Sequence, residues 1–324
     1  MVRGATLYSP VLRELEQVEA ALDSLTRADN PKLSEMMTHV LGGGGKRVRP
    51  AIALLAGKFG QYDGEGLVPL AVSIELLHTA TLVHDDVIDR AATRRGRATA
   101  NSIYDNGATV MLGDYMFAHA AEFVARTGNI EVVRLFAHTL MAMAGGELSQ
   151  DMSAYDYGQT TMQYFQRIGG KTASLFAAAA EGGAIVSEAP HLFRLALRSY
   201  GENLGMAFQV MDDILDFTGD EAEMGKPVGS DLMQGTLTLP SLLLMERYPE
   251  DNPVRRLFRD RDRQRQRHLA AAIDMVLNSD ILDECRRVAV DFRDRASLAL
   301  ADLPPSSAQD SLGEIADYVV ERRS

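Results

Sequence analysis

The 324-residue chain has one cysteine, Cys285, and no tryptophan. A single thiol cannot close a disulfide within the chain, and a cysteine-based zinc site is not expected. A reducing cytoplasm suits such a chain. Proline is sparse at 11 residues, whereas methionine reaches 15 and alanine tracts recur, a balance that favours helix over sheet. Basic residues are the minority: 33 Lys plus Arg face 45 Asp plus Glu, a net charge of −12. That lacks the basic footprint of a nucleic-acid binder, while local anion sites remain open. No stretch reaches the ~18 uninterrupted apolar residues of a spanning helix; the longest candidate, 175–186, holds Glu181 and two glycines. The first residues lead straight into charge, so no signal peptide is expected, and contact with a membrane should be peripheral at most. With 46% apolar and 24% charged residues, the chain has the balance of a globular protein with a large core.

No run alternates apolar and polar residues long enough for a strand, but helical spacing recurs nearly throughout. The pattern predicts helices over 9–27, 31–41, 48–59, 66–89, 108–127, 130–154, 160–187, 190–217 and 239–246, with several more after Pro253. Ser9-Pro10 and Asn30-Pro31 read as N-caps with a first-turn proline. Gly42 to Gly45 cannot be helix interior. Segments 73–83 and 175–186 are apolar on nearly all sides, so each should be surrounded by other helices. One large all-α bundle is therefore expected, with no linker to mark a domain boundary. The arginine-dense stretch 255–267 is expected to be a solvated helix or loop.

Two segments carry the chemistry. Asp85-Asp86-Val87-Ile88-Asp89 and Asp212-Asp213-Ile214-Leu215-Asp216 share the pattern Asp-Asp-x-x-Asp. On a helix those carboxylates lie at about 0°, 100° and 40°, on one face. Three like charges on an otherwise apolar helix need a cation, and an oxygen-only donor set points to Mg²⁺ before Ca²⁺. Neither segment has the loop spacing of an EF-hand, and no Glu-x-x-His pair suggests a di-iron bundle. Mg²⁺ held by a few carboxylates keeps sites for phosphate oxygens. Basic partners are present: Gly45-Lys46-Arg47-Val48-Arg49-Pro50 opens a helix after the glycine turn, where free N–H groups favour an anion. It lacks the spacing of a P-loop. Arg94 and Arg95 follow the first acidic segment, and two guanidiniums there suit a diphosphate as well as simple charge balance. His78 lies two turns before Asp85 on the same face. Gly169-Gly170-Lys171-Thr172 interrupts an apolar helix and suggests a kink, with Lys171 needing an anionic neighbour. Gln209 is one turn before Asp213, and Lys226 follows the second acidic segment.

Taken together, GGKRVRP (44–50), ELLHTATLVHDDVID (75–89), RRG (94–96), GDYMF (113–117), GGKTASLF (169–176), FQVMDDILDFTGD (208–220) and GKPVGSDLMQGTLTLP (225–240) resemble the trans-isoprenyl diphosphate synthases, or polyprenyl synthetase family, in order and spacing. The resemblance implies an all-α fold around a central cavity, with residues 1–324 as one polyprenyl synthetase domain, acting as a homodimer. It implies that Asp85, Asp86, Asp89, Asp212, Asp213 and Asp216 bind three Mg²⁺ ions across the cavity mouth. Lys46, Arg49, His78 and Arg95 would hold isopentenyl diphosphate. Arg94, Lys171, Thr172, Gln209 and Lys226 would hold the allylic diphosphate, with Lys171, Thr172 and Gln209 closest to the reacting carbon. A carbonyl freed at Gly169-Gly170 would help stabilise the allylic cation. Some relatives carry a lysine where this chain has Thr236, which leaves more of the phosphate binding to Lys226.

In this family, bulky residues just before the first acidic segment form a floor under the growing chain. Here Ala80 is small and Thr81 follows it, so a product longer than C15 is expected, leaning to C30 or more. Met111, Phe117, Met141 or Met143 are deeper candidates for closing the cavity. Two rivals share the fold: a class I terpene cyclase and a non-catalytic subunit of a heteromeric synthase. The anion sites at 44–50 and 94–96 argue against the first, and the six intact aspartates against the second.

Overall fold

The computed structural model describes residues 7–94, 96–219, 227–250, 252–259 and 264–322. After a 3-10 turn at Ser9–Val11 come α1 (Leu12–Leu25), α2 (Pro31–Leu41), α3 (Val48–Gly57) and α4 (Gly64–Ile88). A two-stranded hairpin, β1 (Thr93–Arg94) and β2 (Arg97–Ala98), precedes α5 (Ala100–Ile103), α6 (Asn106–Arg126), α7 (Ile130–Met152) and α8 (Thr161–Ile168). A π-helical turn at Gly169–Ala173 joins α8 to α9 (Ser174–Val186), and α10 (His191–Thr218) follows. The remainder is α11 (Ser230–Gln234), α12 (Leu239–Arg247), α13 (Pro253–Arg259), α14 (Arg265–Leu277), α15 (Ile281–Leu300) and α16 (Ser307–Glu321).

Local chemistry sets several starts. The Asn30 side chain accepts from the N–H groups of Lys32 and Leu33, and Pro31 opens α2. Asp63 caps α4 through the Glu65 N–H, and Thr160 with Gln163 forms a capping box at α8, satisfying donors that the helix itself cannot. The hairpin is the one sheet among the described residues. It is only two residues deep, too short for the alternation that marks a strand in sequence.

The apolar interior has two centres. One gathers Leu54, Leu55, Leu76, Leu77, Phe176 and Ala180 from α3, α4 and α9. The other gathers Leu242, Ala272, Val276, Ile281 and Cys285 from α12, α14 and α15. Helix α10 serves both: its first half contributes Leu197, Tyr200 and Leu204 to one, its second half Met211, Ile214 and Phe217 to the other. That shared burial fixes where the second acidic segment, at the end of α10, must lie. Helix α4 is long and apolar enough to cross a membrane by length and composition, yet 61% of its apolar window is buried inside the protein. It is a core helix, as its all-round apolarity predicts.

Candidate active site

The end of α4 is clamped before its carboxylates are placed. His84 pairs through Nε2 with the Val110 carbonyl at 2.9 Å and meets Phe117 edge-on at 5.3 Å. The imidazole fills the space over Gly113, where a Cβ would come within 2.2 Å of it. Beyond that clamp the three aspartates diverge. Asp86 is buried and accepts from Arg94 Nε at 2.8 Å, the arginine being held out by the hairpin. Asp85 and Asp89, one turn apart, face Lys171 instead. Burial raises the Asp85 carboxyl to about 7, with Lys171 opposing the shift and Glu147 adding to it. Asp89 is raised by burial in the same field.

At the end of α10 the pattern is reversed. Asp213 and Asp216 are buried and bonded to uncharged donors. Asp213 accepts from the Tyr164 hydroxyl at 2.6 Å and from Gln209 Nε2 at 2.8 Å; burial, then Asp231, raises it to about 7. Asp216 accepts from Ser230 Oγ at 2.8 Å. Asp212 alone turns outward, its side chain 43% exposed, and pairs with Arg322 at 2.5 Å. The same Arg322 nitrogen donates to the Phe208 carbonyl at 2.7 Å, and its guanidinium lies 4.0 Å from the Phe208 ring centre.

The π-helical turn connects the two ends. Lys171 forms an ion pair with Glu147 of α7. Burial alone would lower the ammonium pKa, but Asp85, Glu147 and Asp89 outweigh it and the net direction is upward. The next residue, Thr172, donates to Gln209 Oε1 at 2.7 Å, and Gln209 in turn holds Asp213. Adjacent residues of one turn therefore address opposite acidic segments. The expected kink is a π turn that continues the helix rather than breaking it. A freed carbonyl is expected at Gly169-Gly170; that of Gly170 accepts from Ser174 Oγ at 2.6 Å. Two glycines make the turn fit: a Cβ on Gly146 would come within 2.6 Å of the Lys171 backbone nitrogen, and one on Gly170 within 2.9 Å of the Ala142 carbonyl.

The basic motif opens α3 as anticipated, with its three cations in different roles. Arg47 adopts a left-handed backbone, φ 48°, and is tied to Glu19 and, at 2.7 Å, to buried Glu75. Lys46 is exposed, 5.5 Å from the Tyr318 ring centre. The Arg49 guanidinium is 4.2 Å from the ring centre of Phe176 and 5.7 Å from that of Phe208, so Phe208 lies against both Arg49 and Arg322. His78 is half-buried on α4. Arg95 and Lys226 lie outside the described residues.

Beneath Asp85, Thr81 donates its hydroxyl to the His78 carbonyl at 2.7 Å, and Ala80 is fully buried. Leu70, Ile74 and Leu77, on the α4 stripe that continues through Thr81 to Asp85, line a small cavity with Val132, Phe136 and Thr139 of α7. Met111 and Met141 are 66% and 63% exposed. As surface residues of this chain, neither closes its interior, a correction to the deeper candidates; Met143 is buried.

Among the described residues no three His, Cys, Asp or Glu side chains are already gathered around one metal position. The donor chemistry nevertheless fits a hard divalent cation: Asp85, Asp89 and Asp212 present carboxylates on the two facing ends, free of the neutral hydrogen bonds that engage Asp213 and Asp216. Sequence reasoning did not find Glu147, Tyr164 or Arg322. The first two had no motif; Arg322 lies in the C-terminal stretch that carried no readable pattern.

The family model for polyprenyl synthetase matches residues 30–276. The chain belongs to the polyprenyl synthetase family. Among relatives of this polyprenyl synthetase, heptaprenyl diphosphate synthase component 2 of Bacillus subtilis is 38% identical, covering 98% of this chain and 90% of the relative. Octaprenyl diphosphate synthase of Escherichia coli is 35% identical over 96% of each chain. A crystal structure of polyprenyl synthase from Caulobacter crescentus, complexed with calcium and isoprenyl diphosphate, superposes with a TM-score of 0.94 at 33% identity, covering 99% of this chain and 98% of that one.

Proposed function

We propose that this polyprenyl synthetase is a prenyltransferase. It condenses isopentenyl diphosphate with an allylic diphosphate to give a trans-polyprenyl diphosphate longer than C15. The observation that carries the reading is the π turn, whose Lys171 and Thr172 face one acidic helix end each. A diphosphate lying between those ends meets Lys171 from the turn and Arg94 from the hairpin. Three Mg²⁺ ions, held by Asp85, Asp89 and Asp212, would neutralise the departing diphosphate. Asp86, Asp213 and Asp216 keep the two faces in register through Arg94, Tyr164, Gln209 and Ser230.

In this reading the allylic C–O bond breaks and its electron pair leaves with diphosphate. The Thr172 and Gln209 oxygens are assigned to stabilising the allylic cation, and apolar α4 and α9 to excluding water from it. The isopentenyl double bond, its diphosphate anchored by Lys46, Arg49, His78 and Arg95, then forms the new C–C bond. A proton passes to the departing diphosphate and the allylic double bond is restored. Lys226 is assigned to the allylic diphosphate with Lys171. Small Ala80, in place of a bulky side chain that would act as a floor below the first acidic segment, supports a product of C30 or longer. So do relatives named as heptaprenyl and octaprenyl diphosphate synthases.

The whole chain is assigned to one polyprenyl synthetase domain acting as a cytoplasmic homodimer. Exposed Met111 of α6 with Met141 and Leu148 of α7 supply apolar surface for a second copy. A relative named as a component 2 favours one further reading, dependence on a different partner subunit. Incubation of the purified chain with Mg²⁺, isopentenyl diphosphate and C5 to C20 allylic diphosphates tests both. Elongation by the chain alone supports the synthase and removes the partner requirement; failure to extend any starter, with Mg²⁺ present, overturns the self-sufficient enzyme.

A further inference from the structure

The proposed chemistry does not use the basic stretch noted in the sequence. Residues 255–267 carry seven arginines and two aspartates, on a chain of net charge −12. Three of its described arginines lie against tyrosines. The guanidiniums of Arg255 and Arg259 are 5.8 and 5.4 Å from the Tyr157 ring centre, and that of Arg265 is 5.4 Å from Tyr155. Among the described residues no carboxylate pairs with Arg259, Arg265 or Arg267. A merely solvated helix face would pair such cations with acids one turn away. Stacking on a ring instead neutralises none of the guanidinium charge.

The apolar groups beside them are unusually open. Tyr155 and Tyr157 are exposed, and Met152 and Met162, at the two ends of the loop that carries the tyrosines, are 78% and 71% exposed. Guanidiniums, amphipathic rings and flexible apolar chains on one face are the chemistry of a bilayer interface. The face also borders the candidate site. Arg265 donates to the Met233 carbonyl of α11 at 2.8 Å, Tyr155 N–H donates to the Gly235 carbonyl at 2.9 Å, and Ser230 at the other end of α11 holds Asp216. One short helix separates the patch from the second acidic segment. Nucleic acid fits less well: Tyr155 already packs on Phe258 at 5.5 Å and both rings are faced by arginines, which leaves less open ring for base stacking.

We propose that the face formed by α13, the start of α14 and the loop between α7 and α8 docks the protein on an anionic lipid surface, beside the mouth of its site. The proposed function enters only as the reason to dock, since a long prenyl product is itself a lipid. The test uses the full chain without substrate, sedimented with vesicles of mixed phosphatidylglycerol and phosphatidylcholine or of phosphatidylcholine alone. Binding to the anionic vesicles, released by high salt, is expected. The double variant Arg259→Gln, Arg267→Gln should lower the partition coefficient about 30-fold, two arginine contributions at an anionic surface, while elongation of soluble C5 or C10 starters stays at the wild-type rate. Equal partition into neutral vesicles, an unchanged double variant, or tighter binding to single-stranded RNA than to anionic vesicles overturns the proposal. Elongation without vesicle binding sinks this inference alone; vesicle binding without elongation leaves it standing and sinks the enzymatic reading.

Discussion

At the end of α4, Asp86 is bonded to a charged group, Arg94, and its two neighbours look toward the Lys171 ammonium. At the end of α10, Asp213 accepts from a phenol and an amide and Asp216 from a hydroxyl, while Asp212 pairs with the Arg322 guanidinium. The sequence pattern is the same. The difference is what surrounds each: α4 ends beside a hairpin at the protein surface, whereas α10 ends against the second apolar centre. Cation-facing carboxylates can exchange partners with a metal ion or a diphosphate at little structural cost. Buried carboxylates bonded to neutral donors cannot, because each departing contact leaves an unsatisfied group in a dry interior. The proposed chemistry accordingly draws mainly on the first acidic end and uses the second mainly to hold position, with Asp212 as its working member.

The comparison breaks most readily at the largest effects. Chelation with EDTA should abolish elongation. Asp85→Ala and Asp212→Ala should each slow turnover by roughly a thousandfold or more, the scale of losing several kcal/mol of leaving-group stabilisation. Their thermal midpoints should stay near that of the wild type, read by circular dichroism. Near-normal turnover in either variant would remove that residue from the metal site. Lys171→Ala comes next, at about a hundredfold, because the proposed function sets the ammonium against the reacting diphosphate from the turn that joins both ends.

A smaller effect sharpens the contrast. Asp213→Ala strands the Tyr164 hydroxyl and the Gln209 amide, and should cost about 2–3 kcal/mol of stability in urea unfolding. Asp86→Ala, at the matching position of the first segment, leaves Arg94, whose side chain is 38% exposed, free to take water. It should cost less than about 1 kcal/mol. Equal costs would mean that the two ends are equivalent after all.

Much of this was legible in the sequence, for local reasons. Pro31–Leu41 was read with its observed bounds because Asn30, Pro31 and the glycine run are boundary signals within a few residues. The π turn was legible as an irregularity at Gly169-Gly170, but not as a π turn: what selects it is close packing against Gly146, 23 positions earlier and on another helix. The hairpin that presents Arg94 is too short to show a period. The division of labour among the six aspartates was hidden for the same reason. Tyr164 is 49 positions from Asp213 and Arg322 is 110 from Asp212, and no spacing rule spans such separations.

Arg322 yields the smallest expected effect on the reaction. Its side chain is only 8% exposed, and it touches Asp212, the Phe208 carbonyl and the Phe208 ring at once. Arg49 lies against that ring as well, so the final helix delivers a second cation to the place where isopentenyl diphosphate is assigned. Arg322→Gln removes one of the two guanidiniums against the Phe208 ring while Asp85 and Lys171 are untouched. The KM for isopentenyl diphosphate should therefore rise about fivefold, near 1 kcal/mol, with the allylic KM and kcat almost unchanged. Arg322→Lys should restore only part of the loss, since it returns the charge but not the planar stack on Phe208. If instead kcat falls and both KM values hold, Arg322 acts through the orientation of Asp212, and the second acidic end takes a larger share of the chemistry than its neutral hydrogen bonds imply.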